Sequence, residues 1–503
     1  MAGNTILDAV RGYAVSRPDA PALVGKTCVL SYRELAEAIA EASTWLASPR
    51  PLLLALDNSP AWAVLDLAAM DSRIPVVPLP FFFSAEQVIH ALFDSGAGSL
   101  LTDRPEYYEK VLVGSGLSLL PSITTEVAGQ VVTCLRVADV PIQPLPEGTA
   151  KITYTSGTTG APKGVCLGGD AMRAVAGSLR AGSDASSEDR HLCLLPLATL
   201  LENIGGIYAP LLAGASSHLI PLEEVGLSGA SGIDLARMAG ALHASEASTV
   251  IMTPELLQGL VVAIESGFPL PEQLRFVAVG GATVGVRLLE RARSVGLPVF
   301  EGYGLSECAS VVALNTSSEY RSGSVGRPLP HAHVHIAADG EIMVSGALLL
   351  GYTGKQTCPV IANSWATGDI GYLDDDGFLF ITGRKKNIFI TSFGRNVSPE
   401  WVERELTLNP AIAQAAVFGE ARPFNVAVVI ARGNAQAVDQ AIAVTNELLP
   451  DYARIGRWIP ASTPFSPANQ QMTPNGRLRR EAIYSLYREA INQLYEEHDH
   501  AVL

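Results

Sequence analysis

A dense cluster of hydrogen-bond donors occupies residues 155–164, which we call the phosphate loop. The loop contains four hydroxyls, three glycines and one ammonium group, on Thr155, Ser156, Gly157, Thr158, Thr159, Gly160, Lys163 and Gly164. Glycine lets the backbone adopt positive φ angles, so that successive N–H groups can point to one side. Such a concave row of N–H groups binds anions, and the hydroxyls and the ammonium group add further donors. We therefore predict that the loop binds a polyphosphate.

Two other interpretations of this stretch are a surface loop and an ordinary P-loop. A surface loop rarely combines so many donors with a following apolar run and a lysine. The ordinary P-loop requires glycine and lysine, followed by serine or threonine. Here Pro162 occupies the glycine position, and Gly164 follows Lys163 where a hydroxyl would bind Mg²⁺. The loop is therefore a different kind of phosphate site.

The segments around the loop alternate between strand-like and helix-like patterns. Predicted buried strands are residues 51–56, 191–196, 249–252, 276–279 and 299–300, and predicted helices include residues 35–46, 61–70, 85–93 and 203–212. This alternation predicts an α/β fold, with a large N-terminal domain of parallel sheets flanked by helices. Gly280-Gly281 and residues 302–304 come just after two of these strands, where ligands bind in open α/β sheets. Ordinary turns at the ends of strands also contain glycines, so a purely structural role is the alternative for these residues.

The pattern changes after residue 320. Short β-type runs at residues 333–336, 341–344 and 378–381 predict a small antiparallel or barrel-like β subdomain. Beyond a polar break, the remaining residues predict a separate α+β lobe, with helices near 435–448 and 480–496. We predict an N-terminal domain over residues 1–383, a hinge over residues 384–386 and a small, mobile C-terminal lid domain over residues 387–503.

The phosphate loop resembles the signature of the adenylate-forming superfamily, which includes acyl-CoA synthetases, luciferases and the adenylation domains of peptide synthetases. Four further segments resemble the family's motifs and follow in the family's order, at residues 279–283, 302–307, 367–369 and 472–480. The resemblance covers nearly the whole chain and is strongest to fatty acyl-CoA synthetases. It implies that a carboxylate attacks the α-phosphate of ATP to give acyl-AMP, and that the thiol of CoA or of a phosphopantetheine carrier then displaces AMP.

The resemblance assigns roles to residues 302–307, which are similar to the family's Tyr-Gly-x-Thr-Glu motif. Tyr303, followed by Gly304, offers a flat face on which a purine can stack. Ser306 replaces the usual threonine but keeps a hydroxyl for the α-phosphate. Glu307 would hold Mg²⁺, which prefers oxygen ligands and bridges phosphates. Taken alone, Tyr303 could equally be a core aromatic, and Glu307 a charge at a helix start.

The remaining motifs complete the nucleotide site that the resemblance implies. Asp369 would accept hydrogen bonds from the ribose hydroxyls, although a Gly-Asp pair alone is more often an Asx-turn. Arg384 matches the arginine that also reaches the ribose, and Lys386 lies at the family's hinge position between the two lobes. The residues that resemble the family's adenine-binding glycine segment are Gly280, Gly281 and Ala282.

The sequence departs from the family's pattern at two places. Thr199 stands where many acyl-CoA synthetases have an aromatic residue or a histidine at the border of the acyl pocket, so the substrate cannot be borrowed from a relative. The nearby Glu202 is similar to a glutamate of long-chain synthetases, or it is a helix N-terminal carboxylate. Arg477 stands where the family has the catalytic lysine of its C-terminal loop, and no lysine follows Lys386. Because arginine is a planar fork and not a compact ammonium, this position is either a working substitution or a loss of adenylation.

Composition excludes several classes of protein. The chain has 503 residues, which predicts more than one domain, and its net charge of −15 argues against nucleic acid as a partner. The six cysteines are scattered, so neither a zinc site nor a disulfide framework is indicated. The sequence contains no signal-peptide core and no apolar run of membrane-spanning length, and we predict a cytoplasmic protein.

The residues leave three functions open. The first is an ATP-dependent ligase that joins an apolar carboxylic acid to a thiol, most simply CoA. The second is an acyl- or aminoacyl-adenylating enzyme that loads a carrier protein. The third, motivated by Arg477, is a nucleotide-binding protein that has lost ligase turnover.

Overall fold

Helices and strands alternate over most of the chain. A computed structural model describes residues 5–46, 50–155, 162–228, 232–282, 284–354, 363–473 and 476–502. The α-helices are α1 (Ile6–Ser16), α2 (Tyr32–Trp45), α3 (Pro60–Asp71), α4 (Ala85–Ser95), α5 (Pro105–Gly114), α6 (Gly169–Gly182), α7 (Leu200–Glu202), α8 (Ala209–Ala213), α9 (Leu235–Ala244), α10 (Pro254–Glu265), α11 (Val286–Ser294), α12 (Pro399–Thr407), α13 (Ala435–Leu448) and α14 (Arg480–Val502).

Most strands are short and belong to a few sheets. They are β1 (Pro21–Val24), β2 (Val29–Ser31), β3 (Leu52–Ala55), β4 (Val76–Pro78), β5 (Ser99–Thr102), β6 (Leu119–Val127), β7 (Gln130–Val137), β8 (Thr149–Thr155), β9 (Lys163–Gly168), β10 (Arg190–Leu192), β11 (Ser216–His218), β12 (Leu227–Ser228), β13 (Gly232–Ile233), β14 (Thr249–Met252), β15 (Phe276–Val279), β16 (Val299–Leu305), β17 (Ser310–Leu314), β18 (Arg327–Pro328), β19 (Ala332–Ile336), β20 (Glu341–Gly346), β21 (Gly351–Tyr352), β22 (Trp365–Leu373), β23 (Leu379–Arg384), β24 (Phe389–Ile390), β25 (Asn396–Val397), β26 (Ile412–Phe418), β27 (Asn425–Ala431) and β28 (Ile455–Pro460).

Two large sheets form the N-terminal part. The first has nine strands in the order β18-β17-β16-β15-β14-β10-β11-β1-β2, and the second has eight in the order β21-β9-β8-β4-β3-β5-β7-β6. The central strands of both sheets pair in parallel, and the edge strands pair antiparallel. The carboxyl ends of parallel strands meet at one edge, where open α/β sheets bind ligands. The predicted α/β class with parallel sheets is confirmed.

Helix α3 shows how the two sheets share a core. Ten of its twelve residues are buried, and eight of these, all except Pro60 and Asp66, pack in one apolar cluster with Leu23 of the first sheet and Leu52 and Leu54 of the second. A helix that is covered on all sides has apolar residues all round, and α3 accordingly has no polar stripe. The Ser31–Glu34 capping box predicted at the start of α2 is present, with reciprocal bonds between side chain and backbone.

The region after residue 320 divides into two smaller units. Strands β19, β20, β22 and β23 form a four-stranded antiparallel sheet with its own apolar cluster, as the alternating pattern predicts. Beyond the polar break, β26, β27 and β28 form a three-stranded sheet covered by α12, α13 and α14. The small C-terminal α+β domain is thus present. Its predicted boundary at residues 384–386 stays a prediction.

Several predicted elements differ from the observed ones. The strand predicted at residues 191–196 ends at Leu192, and residues 302–304 lie inside β16, not after it. The predicted helix at 203–212 is interrupted, because residues 203–208 form a π-helix before α8 begins. The connection between α1 and α2 contains the antiparallel pair β1–β2, and the β6–β7 hairpin was not predicted. None of the described helices is long and apolar enough to span a bilayer.

Candidate functional site

The two ends of the phosphate loop are held in place by a strand pair. Thr155 and Lys163 lie opposite each other where β8 pairs antiparallel with β9. The carbonyl of Pro162 accepts a hydrogen bond from Nε2 of His90 on α4, at 2.8 Å. The predicted contacts of Ser156, Gly157, Thr158, Thr159 and Gly160 fall outside the described residues. His90 could not be singled out from the sequence, because its partner lies 72 residues away.

Lys163 and Glu307 approach each other through an aromatic residue that sequence reasoning missed. Tyr352 on β21 donates a hydrogen bond from its hydroxyl to Oε1 of Glu307 at 3.1 Å. Nζ of Lys163 lies 6.0 Å from the centre of the Tyr352 ring, within the range of a cation–π contact. Glu307 and Ser306 lie on a single 3₁₀ turn that directly follows β16. The loop lysine and the predicted metal ligand therefore belong to one site.

The donor chemistry at Glu307 fits a magnesium ion. Mg²⁺ prefers oxygen ligands, and proteins usually hold it with one or two carboxylates while phosphates and waters complete the shell. Glu307 supplies a carboxylate beside the hydroxyl of Ser306 and on the same side of the cleft as Lys163. Glu307 would hold the ion, which would offset negative charge on a triphosphate.

The predicted ribose ligands are joined by hydrogen bonds. The carboxylate of Asp369 accepts a bond from the Tyr303 hydroxyl at 2.6 Å and forms an ion pair with Nε of Arg384 at 2.7 Å. Asp369 and Arg384 are direct neighbours across the β22–β23 pair. Burial raises the pKa of Asp369, and Arg384 and Tyr303 oppose this shift. The carboxylate is thus fixed in orientation at the edge of the cleft, as a ribose ligand must be.

Gly280, Gly281 and Ala282 line the same cleft as Asp369 and Arg384. Gly280 and Gly281 come directly after β15, and Gly281 has a φ of 82°, which favours glycine. A Cβ on Gly280 would lie 3.4 Å from the carbonyl oxygen of Gly302, so the two backbones approach closely. Glycine is required more strictly at position 304, since a Cβ there would lie 1.7 Å from the carbonyl oxygen of Ser310. These glycines, with Ala282, line the cleft beside Tyr303.

Arg477 reaches this site from the C-terminal domain. Two hydrogen bonds join Arg477 to Thr473. The N–H of Arg477 donates to Oγ1 of Thr473 at 3.0 Å, and the N–H of Thr473 donates to the carbonyl of Arg477 at 2.7 Å. The guanidinium interacts electrostatically with Asp369 and Glu307. Burial and the nearby Arg384 lower the pKa of Arg477, and the two carboxylates oppose this shift. The side chain is open to the solvent of the cleft while both domains surround it.

An apolar compartment adjoins the nucleotide residues. The whole cleft has a volume of about 2380 Å³, and Thr199 lines it as predicted. The apolar side chains of this compartment come from α6, the π-helix region and the strands of the first sheet, and include Leu179, Leu201, Ile251, Phe276, Val311 and Leu314. The cleft therefore combines a charged end with a compartment that could hold an apolar acid.

Glu202 lies behind this compartment. It is fully buried and accepts hydrogen bonds from the backbone N–H of Leu195 and from Nε2 of His191, both at 3.0 Å. Nδ1 of His191 is bonded to the hydroxyl of Thr249 at 2.9 Å. The Glu202 carboxylate therefore links the backbone of Leu195 to the side chain of His191, and it also lies in the first turn of α7. The π-helix brings Gly206 against the same group, where a Cβ would lie 2.4 Å from Oε1 of Glu202.

Lys386 lies just beyond β23, in a turn in which the N–H groups of Asn387 and Ile388 both bond to the carbonyl of Arg384. It lines the cleft between the two domains. Its neighbour Lys385 forms ion pairs with Asp339 and Glu341 of the β subdomain, at 2.6 and 2.7 Å. The role of Lys386 as a hinge stays a prediction.

Comparisons with known proteins agree with this arrangement. Residues 11–352 match the family model described as AMP-binding enzyme, and residues 386–499 match that of the AMP-binding enzyme C-terminal domain. The chain is 31% identical over 426 residues to the long-chain-fatty-acid–CoA ligase FadD15 of Mycobacterium bovis, covering 72% of this chain and 70% of the relative. It is 30% identical to the 2-succinylbenzoate–CoA ligase of Bacillus subtilis, covering 67% and 68%.

Solved structures share the fold. The anthranilate CoA ligase AuaEII in complex with anthranoyl-AMP superposes with a TM-score of 0.79 at 17% identity, covering 96% of this chain and 97% of that chain. The o-succinylbenzoate CoA synthetase MenE of Bacillus subtilis with ATP and magnesium superposes with a TM-score of 0.74 at 23% identity, covering 94% and 98%. The chain therefore belongs to the AMP-binding enzyme family, as an AMP-forming acid–thiol ligase.

Proposed function

We propose that the chain activates an apolar carboxylic acid, such as a fatty acid, as its acyl-AMP and transfers the acyl group to CoA. The observation that carries this proposal is the position of Arg477. It lies within the electrostatic reach of Asp369 and Glu307, although it belongs to the other domain. A chain that had lost adenylation would have no need to keep a cation at that point. The position of Arg477 therefore supports a working substitution over a loss of activity.

In the first half-reaction, an oxygen of the substrate carboxylate attacks the α-phosphorus of ATP. A P–O bond forms to the acyl oxygen, and the bond to the β-phosphate breaks, releasing pyrophosphate. In this proposal Lys163 binds the polyphosphate and the Asp369–Arg384 pair orients the ribose; the 2.7 Å ion pair and the contact of Lys163 with Tyr352 support these roles. Arg477 would stabilise the negative charge that the carboxylate and the α-phosphate share in the transition state. Positioning and charge stabilisation are thus the main tasks of these residues.

In the second half-reaction, the thiol sulfur of CoA attacks the acyl carbon and AMP leaves with the electron pair of the broken C–O bond. The thiol proton is lost to solvent or to the leaving phosphate. The family resemblance implies that the C-terminal domain reorients about residues 384–386 between the two steps. The mixed anhydride must be protected from water until the thiol arrives.

The relatives differ in the acid for which they are named. FadD15 is named for long-chain fatty acids, whereas MenE and AuaEII are named for aromatic acids. The lining of the cleft includes Thr199 and the apolar side chains of Leu179, Ile251 and Phe276, which favour an apolar chain or ring over a polar amino acid. A carrier protein as the acceptor and a cytoplasmic location stay predictions.

Acyl-CoA formation with a panel of acids tests the proposal. The purified chain is given ATP, Mg²⁺ and CoA with straight-chain acids of increasing length, benzoate-type acids and amino acids, and the thioester is measured by mass spectrometry. We expect thioester formation with an apolar acid and none with amino acids. Thioester formation only on a phosphopantetheinyl carrier would favour the carrier-loading alternative. Release of no pyrophosphate with any acid would favour the nucleotide-binding alternative.

A further inference from the structure

The apolar compartment of the cleft follows the first sheet from its carboxyl edge toward its amino edge. Strand β15 shows this extent, because Phe276 at its first position, Ala278 within it and Gly280 just after its end all line the cleft. The residue steps from Phe276 to Gly280 span about 13 Å of strand. An extended chain advances about 3.6 Å for every three bonds, so this length corresponds to about eleven bonds of a straight alkyl chain.

Gly205 lies against the middle of this length. It belongs to the π-helix at residues 203–208, and a Cβ on it would lie 2.6 Å from Cδ1 of Ile251 and 3.9 Å from Cδ1 of Leu179. All three residues line the cleft. Ile251 pairs in the sheet with Ala278, two residues before Gly280. The π-helix and the sheet therefore approach each other closely about halfway along, roughly 7 Å of strand from Gly280.

The backbone does not require glycine at position 205. The φ of Gly205 lies outside the left-handed region that favours glycine. Its missing side chain therefore serves the close approach to Ile251 and not a turn. A larger side chain would displace the end of the Ile251 side chain or occupy the compartment itself. The π-helix is a rare conformation that occurs frequently at functional sites.

The π-helix that carries this glycine is firmly held in place. The Tyr208 hydroxyl donates to Oδ2 of Asp66 at 2.6 Å, and Nδ2 of Asn203 donates to the same atom at 3.2 Å. The Ser217 hydroxyl donates to the carbonyl of Gly206 at 2.7 Å. The side chains in these bonds are all buried, and a buried polar network of this kind rigidifies the structure around it. A larger side chain at the glycine must therefore take its space from the compartment, since the helix cannot easily move away.

We propose that Gly205 and Ile251 set the length of the acid that the chain accepts, and that glycine at position 205 admits straight-chain acids of about twelve carbons. This inference rests on the proposed function. Acids of about six carbons end before the pair, because roughly 7 Å corresponds to about six bonds. The part of the compartment beyond the pair, toward Phe276, holds the distal end of a longer acyl chain.

The test compares kcat/KM for acyl-CoA formation across straight-chain acids in the parent and in Gly205→Val. We expect Gly205→Val to lower kcat/KM for dodecanoate about tenfold or more, since a misfit of one methylene in an apolar pocket has an effect of that size. Hexanoate ends before the pair and should keep a value close to that of the parent. A glycine needed only for folding would affect both acids alike.

A compensating variant separates blockage from misfolding. Ile251→Ala removes as many carbon atoms as Gly205→Val adds, and cores tolerate volume-conserving exchanges best. We therefore expect the double variant Gly205→Val/Ile251→Ala to recover most of the dodecanoate activity.

Gly177→Val is a matched control. It makes the same substitution on α6, at a position where a Cβ would meet nothing within 4 Å. It should keep the chain-length profile of the parent.

Three results would overturn the inference. They are an unchanged chain-length profile in Gly205→Val, an equal loss with both acids that Ile251→Ala does not relieve, and a parent chain that uses hexanoate or benzoate-type acids but not dodecanoate. Failure of the proposed function gives a different result, since the parent chain would then form acyl-CoA with no acid of any length.

Discussion

Replacing Arg477 by alanine should abolish most adenylation while sparing the second half-reaction. The guanidinium lines the cleft and interacts electrostatically with both Asp369 and Glu307. Removing one preorganised charged donor to the developing charge costs about 3 kcal/mol, which corresponds to a fall on the order of a hundredfold. Arg477→Lys should keep or raise the rate, because it restores the compact ammonium typical of the family.

The assay is acid-dependent ATP–pyrophosphate exchange, followed by thioester formation from synthetic acyl-AMP. Arg457→Ala is a matched control, since Arg457 is an exposed arginine on β28 of the same domain. We expect the control to exchange at the parent rate. Exchange by Arg477→Ala at the parent rate would refute the assignment of Arg477 as the catalytic cation. Equal loss of both half-reactions would point to a folding defect.

Four further predictions follow from the site and the hinge. Glu307→Gln should lower exchange at every Mg²⁺ concentration, since the ion loses its carboxylate; full activity at ordinary Mg²⁺ would place the ion elsewhere. Asp369→Asn should raise the KM for ATP about tenfold or more through weaker ribose binding, and an unchanged KM would contradict this role. Lys386→Pro should slow thioester formation more than adenylation, because proline fixes φ at the hinge; equal slowing would indicate a fixed domain. Glu301 keeps its proton in the folded state up to about pH 7 but loses it near its ordinary value of 4.5 when unfolded, so its contribution to stability falls as pH rises across this window. The stability of Glu301→Gln relative to the parent should therefore increase from pH 4 to pH 8 by up to about 3 kcal/mol in denaturant titrations, and a constant difference would contradict the pKa.

The sequence predicted the elements that carry strong local signals. The capping box at Ser31 and the buried strands β14 and β15 were found because cap residues and continuous apolar runs are local features. The sequence pattern predicted that residues 302–304 follow a strand, because glycine weakens the interior of a strand. In the structure, β16 continues through them, since the close pairing with β17 leaves no room for a Cβ at Gly304.

The groups that the sequence missed depend on distant contacts. Tyr352 reaches Glu307 because β21 pairs with β9, which is more than 180 residues earlier in the chain. His90 reaches Pro162 across 72 residues. Such partners follow from the packing of sheets and domains, which local patterns do not encode.

The most direct test of the account is whether the unmodified chain forms an acyl-adenylate. The chain is incubated with ATP, Mg²⁺ and the acid panel without CoA, and acyl-AMP and pyrophosphate are quantified by mass spectrometry and by exchange. The account predicts stoichiometric acyl-AMP with at least one apolar acid, and its conversion to acyl-CoA when CoA is added. ATP binding without acyl-AMP from any acid would contradict it.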